Sequence, residues 1–373
     1  MKKVLILSCG TGGGHNSAAL AIQESLKEKG IQADFVEYLS IVNPKIKNRV
    51  NNLYIKTTRR NGKSFKVIYH LGELYQKTKM KSPVYGLNKL GKEKLYQYIK
   101  NGNYNYTVTT HLFAAEALTA IKKEHPIHFI AVATDYVSIP FWEETNPDYF
   151  IIPDKDLEKD FINRGIDKNK LLPIGIPVAK TYTQKYEKNE VKKNLNLEVN
   201  NKYVLILTGS MGFGNVEQML KELFDNINDA VFIISCGNNT KLLDTLKKTY
   251  KDNKRIIILP FTNKLSEYMK SSDIILSKPG GLTTTEIATL NKPFIHTMPI
   301  PGCENYNAKF FSERKMSIQC DTIEQVVEKT KELLQNVKLQ DEIIENQRKY
   351  MNKNVSNDIA NVIIEYCKSK GNL

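Results

Sequence analysis

Residues 1–15 read MKKVLILSCGTGGGH, in which an apolar run, Val4 to Leu7, gives way to Gly10-Thr11-Gly12-Gly13-Gly14 and then His15. A short strand that ends in glycine and feeds a segment of helical period, here Ser17–Lys29, is the opening unit of a doubly wound α/β sheet. The same unit recurs along the chain. Strand-like runs fall at Val4–Ser8, Ala33–Tyr38, Tyr106–Thr110, His128–Thr134 and Tyr149–Pro153, with helix-period stretches such as Ala114–Glu124 between most of them. A second series follows at Tyr203–Thr208, Ala230–Ser235, Arg255–Leu259, Ile274–Ser277 and Phe294–Met298. Strands alternating with helices specify mostly parallel sheets, and two such series specify two Rossmann-like halves.

A chain of 373 residues has room for two domains. The alternation lapses into polar sequence between them, at IPVAKTYTQKYEKNEVKKNLNLEVNN over 176–201. The expected organisation is an N-terminal domain over 1–176, a linker over 177–200 and a C-terminal domain over 201–350. A C-terminal helix over 351–373 follows, with the N-terminal domain as its candidate packing partner. Residues 340–370 read as helix, with an amphipathic pattern over Ser356–Lys368.

At 41% hydrophobic and 25% charged, the composition excludes a disordered, collagenous or coiled-coil chain. The net charge of +14 calls for nucleic acid, an anionic membrane or a phosphorylated substrate as partner. It is local: residues 41–100 carry fifteen Lys/Arg against Glu73 and Glu93, a net of +13. Tyrosines and Phe65 are interleaved with the basic residues on helix-like stretches such as Val50–Arg60 and Phe65–Lys79. That pattern suits docking on anionic lipid headgroups, with Arg59, Arg60, Lys63 and Lys66 as candidate contacts. The five cysteines are scattered without a C-x-x-C pair, which suggests neither a disulfide framework nor a zinc site and points to a reducing compartment. The first apolar run is too short for a signal peptide, and no run approaches a membrane span. The expected location is cytoplasmic, attached peripherally to the cytoplasmic face of the membrane.

Four loops carry chemistry. In Gly10–His15 the glycines permit a sharp turn and close approach to a ligand, but the third glycine of a dinucleotide fingerprint is replaced by His15 and a Walker lysine is missing. An imidazole at a helix start facing a crevice is well placed as a general base. Thr208–Gly214 (TGSMGFG) repeats the geometry in the second half and suits an anion at a helix N-terminus. Ser277–Glu286 (SKPGGLTTTE) adds a strand, a turn and a helix start, where Thr283 or Thr284 with Glu286 could equally form a capping box. Pro299–Asn307 (PIPGCENYN) places Glu304, Asn305 and Asn307 at another strand end. Three polar loops at strand ends of one half favour a single shared site.

The GGGH loop, Thr134-Asp135-Tyr136, the G-S-M-G loop, K-P-G-G-x-T-x-x-E and P-G-x-E-x-x-N together resemble glycosyltransferase family 28, in particular its glycolipid-synthesising branch of diacylglycerol glucosyltransferases and monogalactosyldiacylglycerol synthases. The resemblance spans about residues 1–335. It implies the α/β GT-B fold, two Rossmann-like domains facing across a crevice, and transfer of a hexose from a UDP-sugar to diacylglycerol. It further implies that Gly209, Ser210, Met211, Gly212, Gly280, Gly281 and Thr283 hold the diphosphate. Glu286 would accept from the ribose, uridine would lie by Phe261, and Glu304 and Asn307 would meet the sugar. Cys303 stands where the family commonly has Gln, which leaves the donor sugar open.

Transfer to an alcohol needs a base, an in-line approach and neutralisation of the departing diphosphate. His15 is the leading base, and Asp135 is either an alternative base or the carboxylate that orients it. Gly13 and Gly14 belong to the acceptor side, and Lys278 with helix N-termini can neutralise the diphosphate. No metal or other cofactor is then expected, the UDP-sugar being a substrate. Asp154-Lys155-Asp156 matches a metal-diphosphate D-x-D, but Asp156 reads as a helix N-cap. The alternatives are N-acetylglucosaminyl transfer to a lipid II precursor and, outside enzymes, a basic nucleic-acid-binding protein. The sugar-nucleotide loops argue against nucleic acid as the partner.

Overall fold

The computed structural model describes residues 3–10, 13–42, 82, 85–86, 91–209, 215–299 and 302–369. Contacts divide the chain into two compact units, Met1–Lys180 with Asn354–Leu373, and Thr181–Lys353.

The first unit holds β1 (Lys3–Ser8), β2 (Gln32–Glu37), β3 (Tyr106–Thr109), β4 (Phe129–Val132), β5 (Tyr149–Ile152) and β6 (Leu171–Pro173), in the order β2-β1-β3-β4-β5-β6. Each pairing is parallel. Along β1, Leu5 and Leu7 face one core while Val4 and Ile6 face the other. Burial on both faces explains why the strand reads as an unbroken apolar run rather than an alternation. The helix Gly14–Glu28 buries Ala18, Ala19, Ile22 and Leu26 on one side of this sheet. The C-terminal helix Val355–Ser369 packs there too, through Val355, Ile359, Ala360 and Ile363. Gly175 makes room for it: a Cβ at this position would lie 2.6 Å from Cγ2 of Val355, and its φ of +130° favours glycine.

The second unit holds β7 (Tyr203–Leu207), β8 (Val231–Ser235), β9 (Ile256–Leu259), β10 (Ile274–Ser277), β11 (Phe294–Thr297) and β12 (Ile318–Cys320), in the order β12-β11-β10-β7-β8-β9, again all parallel. Both sheets are doubly wound. In the first, the order turns back between β1 and β3, and in the second between β7 and β10. Such switch points open a crevice at the carboxyl ends of the strands, where α/β proteins bind ligands.

Four elements differ from the sequence expectation. The edge strands β6 and β12 have three residues each and carry too little pattern to register. Residues 340–370 are two helices, Val337–Tyr350 and Val355–Ser369, separated at 351–354. The stretch expected as linker contains the helix Lys188–Asn194, which packs against the helix Leu265–Ser271. The Lys188 ammonium pairs with Asp273, and the buried Lys192 ammonium donates to the carbonyls of Val199 and Asn201 at 2.9 and 2.8 Å, so charge rather than apolar periodicity builds this piece.

Because Ile359 is fully buried against the first sheet, Ile359→Ala is expected to lower unfolding free energy by about 2–5 kcal/mol in a denaturant titration. A change below 0.5 kcal/mol, within the ordinary surface range, would show that the C-terminal helix is not part of that core.

Candidate active site

In the second unit, three loops leave the carboxyl ends of β7, β10 and β11, around the switch point. Gly209 follows β7 with a φ of +76°, a left-handed conformation that favours glycine. Ser210, Met211 and Gly212 lie outside the described residues. After β10, Gly280 precedes the helix Gly281–Thr289, and no side chain caps that helix. The capping-box alternative therefore fails. Thr284 Oγ1 is bound to His296 Nε2 at 3.1 Å, Thr285 Oγ1 donates to the Gly281 carbonyl at 2.7 Å, and the Tyr182 hydroxyl acts electrostatically on the Glu286 carboxyl. Thr283 stays half-exposed at the first turn. The helix Cys303–Glu313 after β11 starts from Gly302, also without a side-chain cap. The helices Thr240–Thr249 and Ile323–Gln335 of the same unit are capped by Asn239 and Thr322. The helix start expected to meet diphosphate, at Gly281, and the one expected to meet the sugar, at Cys303, thus both lack a side-chain cap on their first-turn N–H groups.

Charge gathers at the same place. Lys278, just after β10, is half-buried and faces the Glu304 carboxylate; burial lowers its pKa and the carboxylate opposes the shift. Glu286 is buried, and desolvation raises its carboxyl to about 8 against the opposing effect of Tyr182. Phe261, two residues beyond β9, is 64% exposed, an aromatic face left open at a strand end. Asn307 departs from its expected part. It is 0% exposed and donates from Nδ2 to the Pro279 carbonyl at 2.9 Å, so it holds the Pro-Gly-Gly turn in place rather than presenting its amide to a sugar.

In the first unit the switch point brings together loops from β1, β3 and β4. Gly13, with φ +85°, precedes the helix that starts at Gly14, so His15 stands in its first turn. Nδ1 of His15 lies 3.0 Å from the Thr110 carbonyl oxygen, just past β3. A carbonyl can only accept, so Nδ1 carries the proton and Nε2 keeps its lone pair. Thr134 Oγ1, past β4, lies 2.8 Å from the same nitrogen, and the Thr110 hydroxyl donates to the His15 carbonyl at 2.9 Å. Burial lowers the His15 pKa, opposed by the charge of Asp135 and the bond to Thr110. Asp135 is half-buried in the loop after β4. A neutral imidazole with a lone pair on Nε2, steadied by a carboxylate, is the form a general base requires.

The D-x-D segment is a local turn. Asp154, rather than the expected Asp156, is the capping residue, its Oδ1 accepting from the Asp156 N–H at 2.8 Å over the single turn Lys155–Leu157. Among the described residues no group of three or more His, Cys, Asp or Glu side chains is placed to hold a metal ion. Arg59, Arg60, Lys63 and Lys66 lie outside the described residues, as does most of the basic region. No helix among the described residues is long and apolar enough to cross a membrane.

The monogalactosyldiacylglycerol (MGDG) synthase family matches residues 15–178, and the glycosyltransferase family 28 C-terminal domain matches residues 203–363. This chain belongs to glycosyltransferase family 28, in its glycolipid branch. A processive diacylglycerol beta-glucosyltransferase of Bacillus pumilus is 25% identical over 370 residues, covering 98% of this chain and 95% of the relative. Among solved structures, Acinetobacter baumannii MurG superposes with a TM-score of 0.64 at 16% identity, over 98% of this chain and 100% of that one. Anabaena HepE in complex with UDP and glucose gives 0.62 at 11% identity, over 98% and 100%. These likenesses bear out the GT-B fold with its two Rossmann-like domains.

Two residues beside the expected site positions carry no motif. His111 follows β3 and caps the helix Leu112–Lys122, its Nδ1 accepting from the Phe113 N–H at 3.2 Å. Its ring meets that of His15 edge to face at 4.7 Å, and burial with the neighbouring imidazole holds it well below the ordinary histidine pKa. Tyr182 sits in the stretch expected as linker, and its link to Glu286 spans about a hundred residues that no local pattern bridges. In nitrogen-resolved NMR of the family 28 enzyme, His15 is expected as the Nδ1–H tautomer and His111 as the Nε2–H tautomer near neutral pH. A protonated Nε2 on neutral His15 would contradict the arrangement.

Proposed function

We propose that this glycosyltransferase moves a hexose, glucose being the leading candidate, from a UDP-sugar to the free hydroxyl of diacylglycerol at a membrane surface, with inversion at the anomeric carbon. The chemical part rests on one observation: the Thr110 carbonyl fixes the His15 proton on Nδ1 and leaves Nε2 as the acceptor. Nε2 would take the proton of the lipid hydroxyl as its oxygen attacks the anomeric carbon. Asp135 would stabilise the imidazolium so formed. The bond to the UDP oxygen breaks on the opposite face, so a single displacement turns an α-linked donor into a β-glycoside.

The donor would lie on the second unit. Gly209, Ser210, Met211 and Gly212 with Gly280, Gly281 and Thr283 would receive the diphosphate on open N–H groups and a hydroxyl, and Lys278 would balance the charge of the departing UDP. That donor set supplies the neutralisation without a metal ion. Glu286 would accept from the ribose, Phe261 would flank the base, and Glu304 would meet the sugar. The lipid acceptor and the sugar are supported by the name of the Bacillus pumilus relative and by the family of the first 178 residues. Peripheral attachment through anionic lipids, with Arg59, Arg60, Lys63 and Lys66 as contacts, is supported by the net charge of +13 over residues 41–100. Nucleic acid is not the expected partner of that charge.

Incubation with UDP-glucose, UDP-galactose and UDP-N-acetylglucosamine plus diacylglycerol vesicles should give a hexosyl-diacylglycerol detectable by mass. Transfer only from UDP-N-acetylglucosamine, and only to a lipid II precursor, would replace this assignment. His15→Ala should lower kcat by about 10²–10⁴-fold with UDP affinity retained. The active base is the neutral imidazole, so activity is lost as pH falls and His15 protonates. Since burial lowers its pKa, the acid limb of kcat/KM is expected below the ordinary histidine value of about 6.5.

Neutralising Arg59, Arg60, Lys63 and Lys66 together should weaken flotation with anionic vesicles, and activity on embedded acceptor, by an amount that shrinks as salt rises, with UDP affinity unchanged. Equal loss of UDP affinity would make the patch structural, and RNA binding without vesicle binding would overturn the membrane assignment.

A further inference from the structure

His15 is held from two strands of the first unit. Thr110, just past β3, holds it twice: its hydroxyl donates to the His15 carbonyl at 2.9 Å, and its own carbonyl lies 3.0 Å from the ring Nδ1. Thr134, past β4, is buried and sets its hydroxyl oxygen 2.8 Å from the same Nδ1. β3 and β4 are paired neighbours, with Thr109 opposite Ala131, which brings both threonines to one end of the sheet. A hydroxyl can donate or accept, whereas a carbonyl only accepts. With the proton on Nε2, the Nδ1 lone pair would face the Thr110 carbonyl oxygen; with the proton on Nδ1, both oxygens accept from it.

We propose that Thr134 is a positioning residue for the base of the transfer reaction: its hydroxyl oxygen is the second acceptor of the His15 Nδ1 proton, fixing the plane of the ring and favouring the imidazolium once Nε2 has taken a proton. This rests on the assignment of His15 as base made above. One acceptor leaves the imidazole able to turn about its Cβ–Cγ bond, while two acceptors from different strands define its plane. Both bonds strengthen when the ring is charged, because a cationic donor makes the stronger hydrogen bond. The Thr134 oxygen therefore supports the charged ring more than the neutral one and makes Nε2 the better proton acceptor. Removing that oxygen lowers the His15 pKa, so the acid limb of kcat/KM moves to lower pH while the base itself becomes weaker.

The titratable groups facing the ring are Asp135, next to Thr134, and His111, next to Thr110, whose ring meets that of His15 edge to face at 4.7 Å. Glu37, at the end of β2, accepts from the Gly10 N–H at 3.3 Å, and Glu116, in the helix Leu112–Lys122, acts on Tyr38. The helix Val355–Ser369 packs in the same core as Gly14–Glu28 through Val355, Ile359, Ala360 and Ile363, and among the described residues no charge from it acts on His15. Thr134→Val retains all of these groups and the branched shape, and removes only the hydroxyl.

The test pairs two measurements on the full chain. One is the pH titration of His15 by nitrogen-resolved NMR, its signals identified by their loss in His15→Ala, which reads the ring without turnover. The other is kcat and kcat/KM against pH with the active UDP-sugar and diacylglycerol vesicles. Thr134→Val should lower the His15 pKa by about half a unit to one unit, move the acid limb of kcat/KM down with it, and lower kcat about tenfold with KM for the UDP-sugar unchanged. Thr134→Ser keeps the oxygen and should restore the limb and most of kcat.

A His15 titration in Thr134→Val superimposable on the wild type would overturn the inference, as would a loss of kcat that Thr134→Ser does not restore. A lowered His15 pKa with an unmoved kinetic limb would support the hydrogen bond from His15 to Thr134 and overturn the assignment of His15 as base. Thermal melts establish that the variants are folded. Should Thr134→Val not fold, Thr134→Ala removes the same oxygen, and its comparison with Thr134→Ser decides by the same outcomes.

Discussion

Parallel pairing throughout both sheets is the constraint on which the rest depends. It delivers every strand's carboxyl end to the same edge, and the reversal of strand order opens that edge between β1 and β3 in one unit and between β7 and β10 in the other. Residues far apart in sequence then become neighbours without any long-range design beyond register. Val4 to Leu7 pair with Tyr106 to Thr109, which sets Thr110 beside the loop from β1 and its carbonyl 3.0 Å from His15 Nδ1. Ile274 to Ser277 pair with Val204 to Leu207, which sets Lys278 and Gly280 beside Gly209. Each sheet uses the same device once, for the His15 imidazole in the first unit and for uncapped helix starts in the second.

The helix starts that follow β1, β10 and β11 carry no side-chain cap. Asn239 and Thr322 close the first turns of their helices with side-chain oxygens, the ordinary solution to orphaned N–H groups. At Gly13, Gly280 and Gly302 a residue with no side chain stands in the capping position instead, and the helices Val216–Asn226 and Leu265–Ser271 also start without a side-chain cap. Glycine in place of a capping side chain costs roughly a few tenths of a kcal/mol, so it leaves first-turn N–H groups uncapped at little expense.

What the sequence made legible was whatever repeats at short range. β1 and β7 were visible because burial on both faces leaves continuous apolar runs, and the glycine loops because a turn at a strand end needs residues without Cβ. Three-residue edge strands hold no periodicity to detect, and Leu171–Pro173 even ends in a proline, which an edge tolerates. The helix Lys188–Asn194 was read as linker because four of its seven residues are charged and only Val191 is apolar, while its place is fixed by Lys188 with Asp273 and by Lys192 with two carbonyls. Asn307 was misjudged for a related reason. A polar residue in a motif was assumed to face the ligand, whereas its amide is consumed by the Pro279 carbonyl, and its contribution is to the shape of the loop that does. His111 and Tyr182 were invisible because their partners, His15 and Glu286, lie about a hundred residues away.

The electrostatics of the two half-sites share one logic. Burial lowers His15 and Lys278 and raises Glu286, so in all three the charged form is the one disfavoured. In each case a neighbour pulls the other way: Asp135 and the Thr110 carbonyl for His15, Glu304 for Lys278 and Tyr182 for Glu286. A group poised between desolvation and one partner changes its charge at small energetic cost when a third participant arrives, and in a low-dielectric setting that change acts strongly on what has arrived. In the proposed displacement, in which a neutral alcohol becomes a glycoside and a diphosphate departs with added charge, that poise would have a direction. In the proposed reaction the first unit would gain a positive charge as His15 accepts a proton, and the second would meet the growing negative charge of UDP with Lys278 and uncapped N–H groups. Removing Asp135, Glu304 or Tyr182 moves His15, Lys278 or Glu286 toward the state that burial alone prefers, so losses there belong in the pH dependence before they belong in the fold.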